Sequence, residues 1–323
     1  MRRCVSTLSP NCHIALPSST LSGVDGRTSG RGKEERVVLP AHVLAFVEEA
    51  VGSVHSAVDC SWPRENSRVW RTVAGREKRT WYVKQHPTPK FHAREVEAYA
   101  RWAPALGPGR VPELQAESTD LAAILLSAVP GISPYHHKPP PGEECEIQRQ
   151  LGELLRAFHR SGPPRPPAGA GSSLGKVQRH LTAAEPHITP EAADLITRMA
   201  TRLAALAPLP HVPTHGDAQI RNTIWNPETR TVALIDFERA EYGPAVRDLI
   251  RLEYGPWDGR PDLRGAFFDG FGRVLTAVER EHLQAMAALD AVSGIAFGTL
   301  AGDAEVVSRG HRTLDRLLRG ISS

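Results

Sequence analysis

The sequence predicts an α+β fold of two lobes, an N-terminal antiparallel sheet lobe and a larger, mainly helical C-terminal lobe. Three observations lead there. Runs rich in β-branched and aromatic residues crowd the first part of the chain. A proline-rich connector, "SPYHHKPPPGEE", interrupts it. Apolar residues at helical spacing dominate the remainder of the chain.

From the N-terminus onward, residues 1–36 are rich in Ser, Gly and Arg without periodicity, so a disordered N-terminal extension is expected. "LPAHVLAFVEEAVG" opens the ordered chain with a short amphipathic helix. "SRVWRTVAG" and "RTWYVKQH" flank a basic turn and predict a hairpin. "FHAREVEAYARWA" reads as a helix, and "RVPELQAES" and "LAAILLSAVPG" read as two further strands. An N-lobe over 37–126 and a C-lobe over 127–323 are therefore expected. In the C-lobe "EIQRQLGELLRAFHRSG" and "EAADLITRMATRLAALA" read as helices, "RTVALIDFE" as a strand, and the end as mostly helical.

Composition narrows the function. At 323 residues the chain can bury a sizeable core. A formal charge of +3 is too small to imply a nucleic-acid partner. The four cysteines form no C-x-x-C pair, so neither a disulfide framework nor a zinc site is indicated and a reducing cytoplasm is expected. By inspection no stretch approaches the ~18 apolar residues of a membrane helix, so no membrane partner is expected. A monomer or homodimer is expected.

The chemistry concentrates in a few residues. Lys84 sits among apolar and aromatic neighbours in "TWYVKQH". In a half-buried strand its ammonium needs a counter-charge, which Glu95 can supply from the next helix; a surface lysine on an edge strand is the other reading. "HGDAQIRN" places Asp217 in a loop five residues before Asn222. A loop carboxylate can take a proton or orient a hydroxyl. A carboxamide oxygen and a second carboxylate, Asp236 in "LIDFE", can hold Mg²⁺ together. The order of lysine, base and two metal ligands matches phosphoryl transfer.

On "YVKQ", "REVEAY", "ILLSAVPG", "LGELLRAFH", "HGDAQIRN", "LIDFE" and "AVRDLIRL" the sequence resembles the aminoglycoside phosphotransferase and choline kinase superfamily, small-molecule kinases with a protein-kinase-like fold. The resemblance spans about 50–320. It implies that Lys84 holds the nucleotide phosphates with Glu95 fixing it, that Asp217 is the catalytic base or hydroxyl-orienting residue, and that Asn222 and Asp236 bind Mg²⁺. It implies an adenine hinge near Ser127 and Val129, a loop brace at His215, and a helix acid, Asp248, that anchors the loop. ATP or GTP is the implied donor. One departure stands out: no glycine lies between Gly52 and Gly75, where the phosphate-covering loop belongs. Ser61, Asn66, Ser67 and Arg68 are the candidates for phosphate contact there.

The remaining singled-out residues divide. Arg221 reads first as a solvent-facing or ion-paired arginine, and His159 as packing at a helix end. Phe267, Phe268 and Phe271 read as core. Tyr254 and Trp257, in a Gly/Pro-rich segment, are the tentative acceptor-pocket residues. After Ile250 about ten acids face about nine arginines, a near-neutral balance that disfavours a heavily cationic acceptor. The expected activity is O-phosphorylation of a small-molecule hydroxyl, first of all on an antibiotic. A metabolic kinase for choline, homoserine or a sugar is the alternative, and a pseudokinase or nucleotide-binding scaffold the third.

Overall fold

The computed structural model describes residues 15–16, 38–62, 67–167 and 173–320. Apart from β1 (Ala15–Leu16), which pairs in parallel with Val129–Pro130, the expected disordered extension 1–36 lies outside the described residues. The architecture is α+β, with the sheet at the N-terminal side and helices dominating the C-terminal side. The chain divides into two compact units, Met1–Pro139 with Arg221–Arg239, and Pro140–Ile220 with Ala240–Ser323. The sequence expectation placed one boundary at 126/127, whereas here the first unit also takes a later segment.

In the first unit α1 (Ala41–Val51) precedes β2 (Val54–Asp59), β3 (Arg68–Ala74) and β4 (Arg79–Gln85). Helix α2 (Pro89–Arg101) then leads to β5 (Leu114–Ser118), β6 (Ala123–Ser127) and the short β7 (Val129–Pro130). Strands β2 to β6 form an antiparallel sheet in the order β2-β3-β4-β6-β5. The expected hairpin is β3–β4, with Trp70 opposite Val83 and Val69 opposite Lys84. Trp70, Thr72 and Ala74 alternate inward along β3. Trp70, Ala74, Val83 and Leu125 pack with Val43 and Val47 of α1. In β4, Tyr82, Val83 and Lys84 are all buried, so both faces of this central strand are covered. Thr88 caps α2 by accepting from the Phe91 amide at 3.4 Å, and α2 buries His92, Glu95, Ala98 and Tyr99.

The second unit opens with α3 (Pro141–His159), α4 (Ser173–Ala184) and α5 (Pro190–Ala205), before β8 (His211–Thr214). Strands β9 (Thr223–Asn226) and β10 (Thr231–Leu234) return to the first unit as an antiparallel hairpin. In the second unit β11 (Glu241–Pro244) pairs with β8. Four helices complete it: α6 (Ile250–Glu253), α7 (Pro261–Phe271), α8 (Ala277–Ala301) and α9 (Ala304–Leu318). A Cβ on Gly152 of α3 would strike the Phe267 carbonyl oxygen, and one on Gly270 of α7 would strike that of Arg149. Glycine at these two sites lets α3 and α7 approach backbone to backbone.

Two features depart from the sequence expectation. Helix α8, at 25 residues, is long and apolar enough to cross a membrane, although no such stretch was expected. Its Ala288, Ala291, Val292 and Ile295 lie inside the core shared with α4, α5 and α9, the setting of an internal helix. Cys60 is disulfide-bonded, where the cysteine spacing indicates no disulfide framework.

Candidate active site

Strand β4 delivers Lys84 inward with its side chain 8% exposed. Its ammonium meets three carboxylates, Asp236 at 2.6 Å, Glu95 at 2.8 Å and Glu238 at 3.0 Å. Burial alone would push this lysine's pKa down; Asp236, Glu95 and Glu238 outweigh it and hold the ammonium well above the usual lysine range. The edge-strand reading of Lys84 is therefore discarded. Burial also works against the charge on Glu95, but Lys84 and the His86 hydrogen bond pull its pKa below the ordinary value. Glu95 is fully enclosed: one oxygen takes His86 Nε2 at 2.6 Å, the other the Phe237 amide at 3.1 Å.

Asp236 reaches this cluster because β10 stops at Leu234. The chain then enters left-handed backbone, with Asp236 at φ 69°. Aspartate tolerates that region better than most residues, and such strain gathers at functional positions. The Ile235 amide donates to the Asn222 carbonyl at 3.1 Å, and Leu234 pairs with Thr223, so the hairpin sets Asn222 beside the Asp236 turn. Glu238, two residues on, also accepts from Ser67 Oγ at 2.6 Å. Sequence reasoning missed Glu238 and His86. Their signal was position alone, each two residues beyond a singled-out residue.

Three carboxylates face the one Lys84 ammonium, Glu95 enclosed and Asp236 and Glu238 partly open to solvent. Asn222, whose backbone carbonyl meets the Ile235 amide beside the Asp236 turn, offers a carboxamide oxygen, and an all-oxygen donor set fits a hard divalent cation such as Mg²⁺. His86, Glu95 and Glu238 also offer ligand atoms within 4.8 Å of one another. The Lys84 ammonium bonds both of those carboxylates, and His86 Nδ1 lies 3.0 Å from the Ala122 carbonyl, so a cation there would have to displace existing partners.

The other first-unit candidates scatter. Ser67 joins the cluster, while Arg68 is exposed and its guanidinium lies 5.1 Å from the Trp70 ring. Ser61 Oγ accepts from the Val69 amide at 3.0 Å. Asn66 lies outside the described residues. Ser127 donates its amide to the Glu113 carbonyl at 2.9 Å, and its Oγ accepts from the Glu113 amide at 2.8 Å. Val129 is buried with Ile224, Ala233 and Ile235.

In the second unit Asp248 is buried and takes donors from the catalytic-motif loop. The His215 amide lies at 2.8 Å, the Gly216 amide at 2.7 Å, and His159 Nε2 at 2.9 Å. Burial opposes its charge; the His159 hydrogen bond, His159 and His215 together bring its pKa below the ordinary value. His159 is thus more than a packing residue. His215 Nδ1 in turn accepts from the Asp217 amide at 3.3 Å. Asp217 is 3% exposed, and its Oδ1 accepts from Gln219 Nε2 at 2.7 Å and pairs with the Arg251 guanidinium. Arg251 was not foreseen: it lies 34 positions from Asp217 with no local pattern linking them.

Of the tentative acceptor-pocket pair, Trp257 is corrected here. Trp257 is 2% exposed, donates Nε1 to Gln148 Oε1 at 3.0 Å, and packs on Phe267 with ring centroids 4.8 Å apart. It is core, as are Phe267, Phe268 and Phe271. Tyr254 is half-buried beneath the Arg316 guanidinium, 5.0 Å from its ring, and burial pushes its phenol up to about 12.

Comparison with known proteins bears on the fold and the family. The model of the phosphotransferase enzyme family matches residues 59–289. No curated protein sequence matches the chain. The gentamicin complex of APH(2″)-IIa superposes with a TM-score of 0.62 at 15% identity, covering 87% of this chain and 97% of that one. Spectinomycin phosphotransferase APH(9)-Ia, in complex with ADP and spectinomycin, gives 0.61 at 16%, covering 87% and 92%. The macrolide 2′-phosphotransferase MphH from Brachybacterium faecium gives 0.58 at 17%, covering 85% and 97%. With more than half of its length matched by the family model, the chain belongs to the phosphotransferase enzyme family, within the aminoglycoside phosphotransferase and choline kinase superfamily of small-molecule kinases.

Proposed function

We propose that the protein transfers the γ-phosphoryl group of ATP or GTP to a hydroxyl of a small-molecule antibiotic. The observation that carries the reading is the Lys84 cluster, one buried ammonium facing the enclosed Glu95 and the partly exposed Asp236 and Glu238. Such a site holds a lysine in its charged form and groups carboxylate oxygens of the kind that a hard divalent cation takes as ligands. The solved structures of similar fold include complexes with gentamicin, with spectinomycin and ADP, and a macrolide phosphotransferase, which supports an antibiotic acceptor.

In this reading Lys84 binds the donor phosphates once they displace Asp236 and Glu238 from its ammonium, and Glu95 keeps its direction. Asn222 and Asp236 hold Mg²⁺, which when bound neutralises charge on the phosphate oxygens. Ser67 and Arg68 lie in the phosphate-covering segment, and the Ser127–Val129 backbone meets the base. Asp217 orients the acceptor hydroxyl. The acceptor oxygen bonds to the γ-phosphorus as the bond to the bridging oxygen breaks. The nucleoside diphosphate leaves, and the hydroxyl proton passes to Asp217. Arg251 pairs with Asp217 and holds its direction; in a loose transition state positioning outweighs strong base catalysis. His215 and Asp248 keep the loop in place through the hydrogen bonds described. A cytoplasmic location suits the nucleotide donor, and the Cys60 disulfide runs against it.

The test is phosphoryl transfer read out by mass spectrometry, with Mg²⁺, ATP or GTP, and a panel of hydroxylated antibiotics and metabolic alcohols. A phosphoryl gain on an antibiotic is expected, falling about 10²–10⁴-fold in Asp217→Ala while nucleotide affinity is kept. Full activity in Asp217→Ala would remove the mechanism. Gain on a metabolic alcohol alone would move the enzyme to metabolism.

A further inference from the structure

Three segments of the first unit bring aromatic rings and a cation to one exposed place. Trp62 comes from the β2–β3 connection, Tyr135 and His136 from the connector after β7, and Arg221 from the turn before β9. Trp62 lies 6.4 Å from Tyr135 and 6.1 Å from His136, centroid to centroid. Tyr135 and His136 meet edge to face at 4.9 Å. The Arg221 guanidinium lies 5.7 Å from the Trp62 ring. Trp62 and Tyr135 are two of only three large aromatic side chains left exposed among the described residues, at 40% and 46%. Isolated exposed apolar residues need no explanation, but rings converging from separate segments beside a cation do.

The platform is fixed to the site. Ser133 Oγ donates to the Arg221 carbonyl at 3.5 Å, and the His136 amide donates to the Ser133 carbonyl at 3.1 Å. Ile132 and Trp225 exchange two backbone hydrogen bonds, tying the connector to β9. Arg221 is joined by one peptide bond to Asn222. Trp62 belongs to the same connection as Ser67, which bonds Glu238 of the Lys84 cluster. Burial and the neighbouring His137 push the His136 imidazole down, so near neutral pH it presents an uncharged ring.

We infer that Trp62, Tyr135 and His136, with Arg221 at their edge, form the acceptor subsite and select a planar, neutral or anionic ring carrying the hydroxyl to be phosphorylated. The inference rests on the proposed phosphotransfer at this site and deepens it to a substrate class. Rings offer stacking area that tolerates variation in the partner, and Arg221 disfavours a polycation while adding attraction to an electron-rich face. The glycine-free β2–β3 connection gains a role here: it carries the aromatic side chain of Trp62 to the ring cluster. Trp62 and Tyr135 thus take the place that Tyr254 and Trp257 were expected to fill.

The experiment uses the full chain with Mg²⁺ and ADP present. Two probes are titrated, 4-(hydroxymethyl)benzoate and its saturated counterpart 4-(hydroxymethyl)cyclohexanecarboxylate. Binding is read by tryptophan fluorescence and by calorimetry. The planar probe is expected to quench saturably and to bind about tenfold more tightly than the saturated one. Trp62→Ala should weaken the planar probe about tenfold, Trp62→Phe should stay within about threefold, and both should keep ADP affinity. Absence of saturable quenching overturns the inference, as do equal binding of the two probes and unaltered binding in Trp62→Ala. A matching loss of ADP affinity in Trp62→Ala would assign the rings to the donor instead. A wild-type enzyme that transfers phosphate but ignores the planar probe sinks the subsite alone. Probe binding as expected, with no transfer to any acceptor, sinks the reaction and leaves the platform standing.

Discussion

Around Lys84 three carboxylates converge on one ammonium, whereas around Asp248 one carboxylate is surrounded by donors. Both clusters are buried, and they solve the same desolvation problem in opposite ways. At Asp248 two amides and an imidazole satisfy the one acid, although the other nitrogen of that imidazole, His159 Nδ1, is buried without a hydrogen-bond partner. The Lys84 cluster gathers three acids on one ammonium, the arrangement that the proposed function assigns to a cation and donor phosphates. One is a brace and the other a receptor.

Replacing Lys84 should separate the two most sharply. Lys84→Met leaves the buried Glu95 and its two partly exposed neighbours without their ammonium and should cost about 3–5 kcal/mol of stability. Mg²⁺ should restore at least half of that loss, measured as the urea midpoint with magnesium and after chelation. No recovery would mean that the carboxylates do not bind the ion.

Asp248→Asn keeps acceptor oxygen but loses the charge, and should cost about 1–3 kcal/mol with no recovery in Mg²⁺. Acid sharpens this. The Asp248 pKa is depressed in the fold, so its contribution is present above the unfolded carboxylate value of about 4 and is lost as pH falls through the folded value. Stability differences between wild type and Asp248→Asn should therefore shrink below about pH 4. A gap that stays constant down to about pH 2 would contradict the assignment.

Arg251 tests whether the second unit needs its own counter-charge at the reacting carboxylate. Arg251→Met should lower turnover about tenfold, ~1.4 kcal/mol, with the nucleotide KM unchanged. A change confined to KM would instead place Arg251 in binding. The smallest effect lies far from either cluster. Thr276 and Glu279 form a capping box at the start of α8, and Thr276→Ala should cost about 1 kcal/mol in thermal unfolding without altering activity.

Much of this was readable from local pattern. Alternating β-branched residues marked the β3–β4 hairpin, and the need of a strand lysine for a counter-charge pointed to Glu95. Apolar Leu234 and Ile235 marked the approach to Asp236. The limit came wherever a partner lies far along the chain. Arg251 meets Asp217, and Ser67 meets Glu238, through tertiary paths that no periodicity encodes. Trp257 misled because glycine and proline neighbours signal a loop, yet Gln148 satisfies its indole and the α7 phenylalanines cover it. Trp62 and Tyr135 escaped notice because each alone is an ordinary surface residue.

The first unit borrows Arg221–Arg239 from beyond a long excursion into the second. Synthesis on the ribosome proceeds from the N-terminus, and domains tend to fold as units while the chain emerges. When Pro139 has emerged, Lys84 has Glu95 as a counter-charge, but Asp236 and Glu238 do not yet exist. An expressed fragment ending at Pro139 is thus an unfinished sheet lobe, short of the β9–β10 hairpin and two of its three acids. The Lys84 cluster gains its last two acids late in translation, after all of 140–220 has been made.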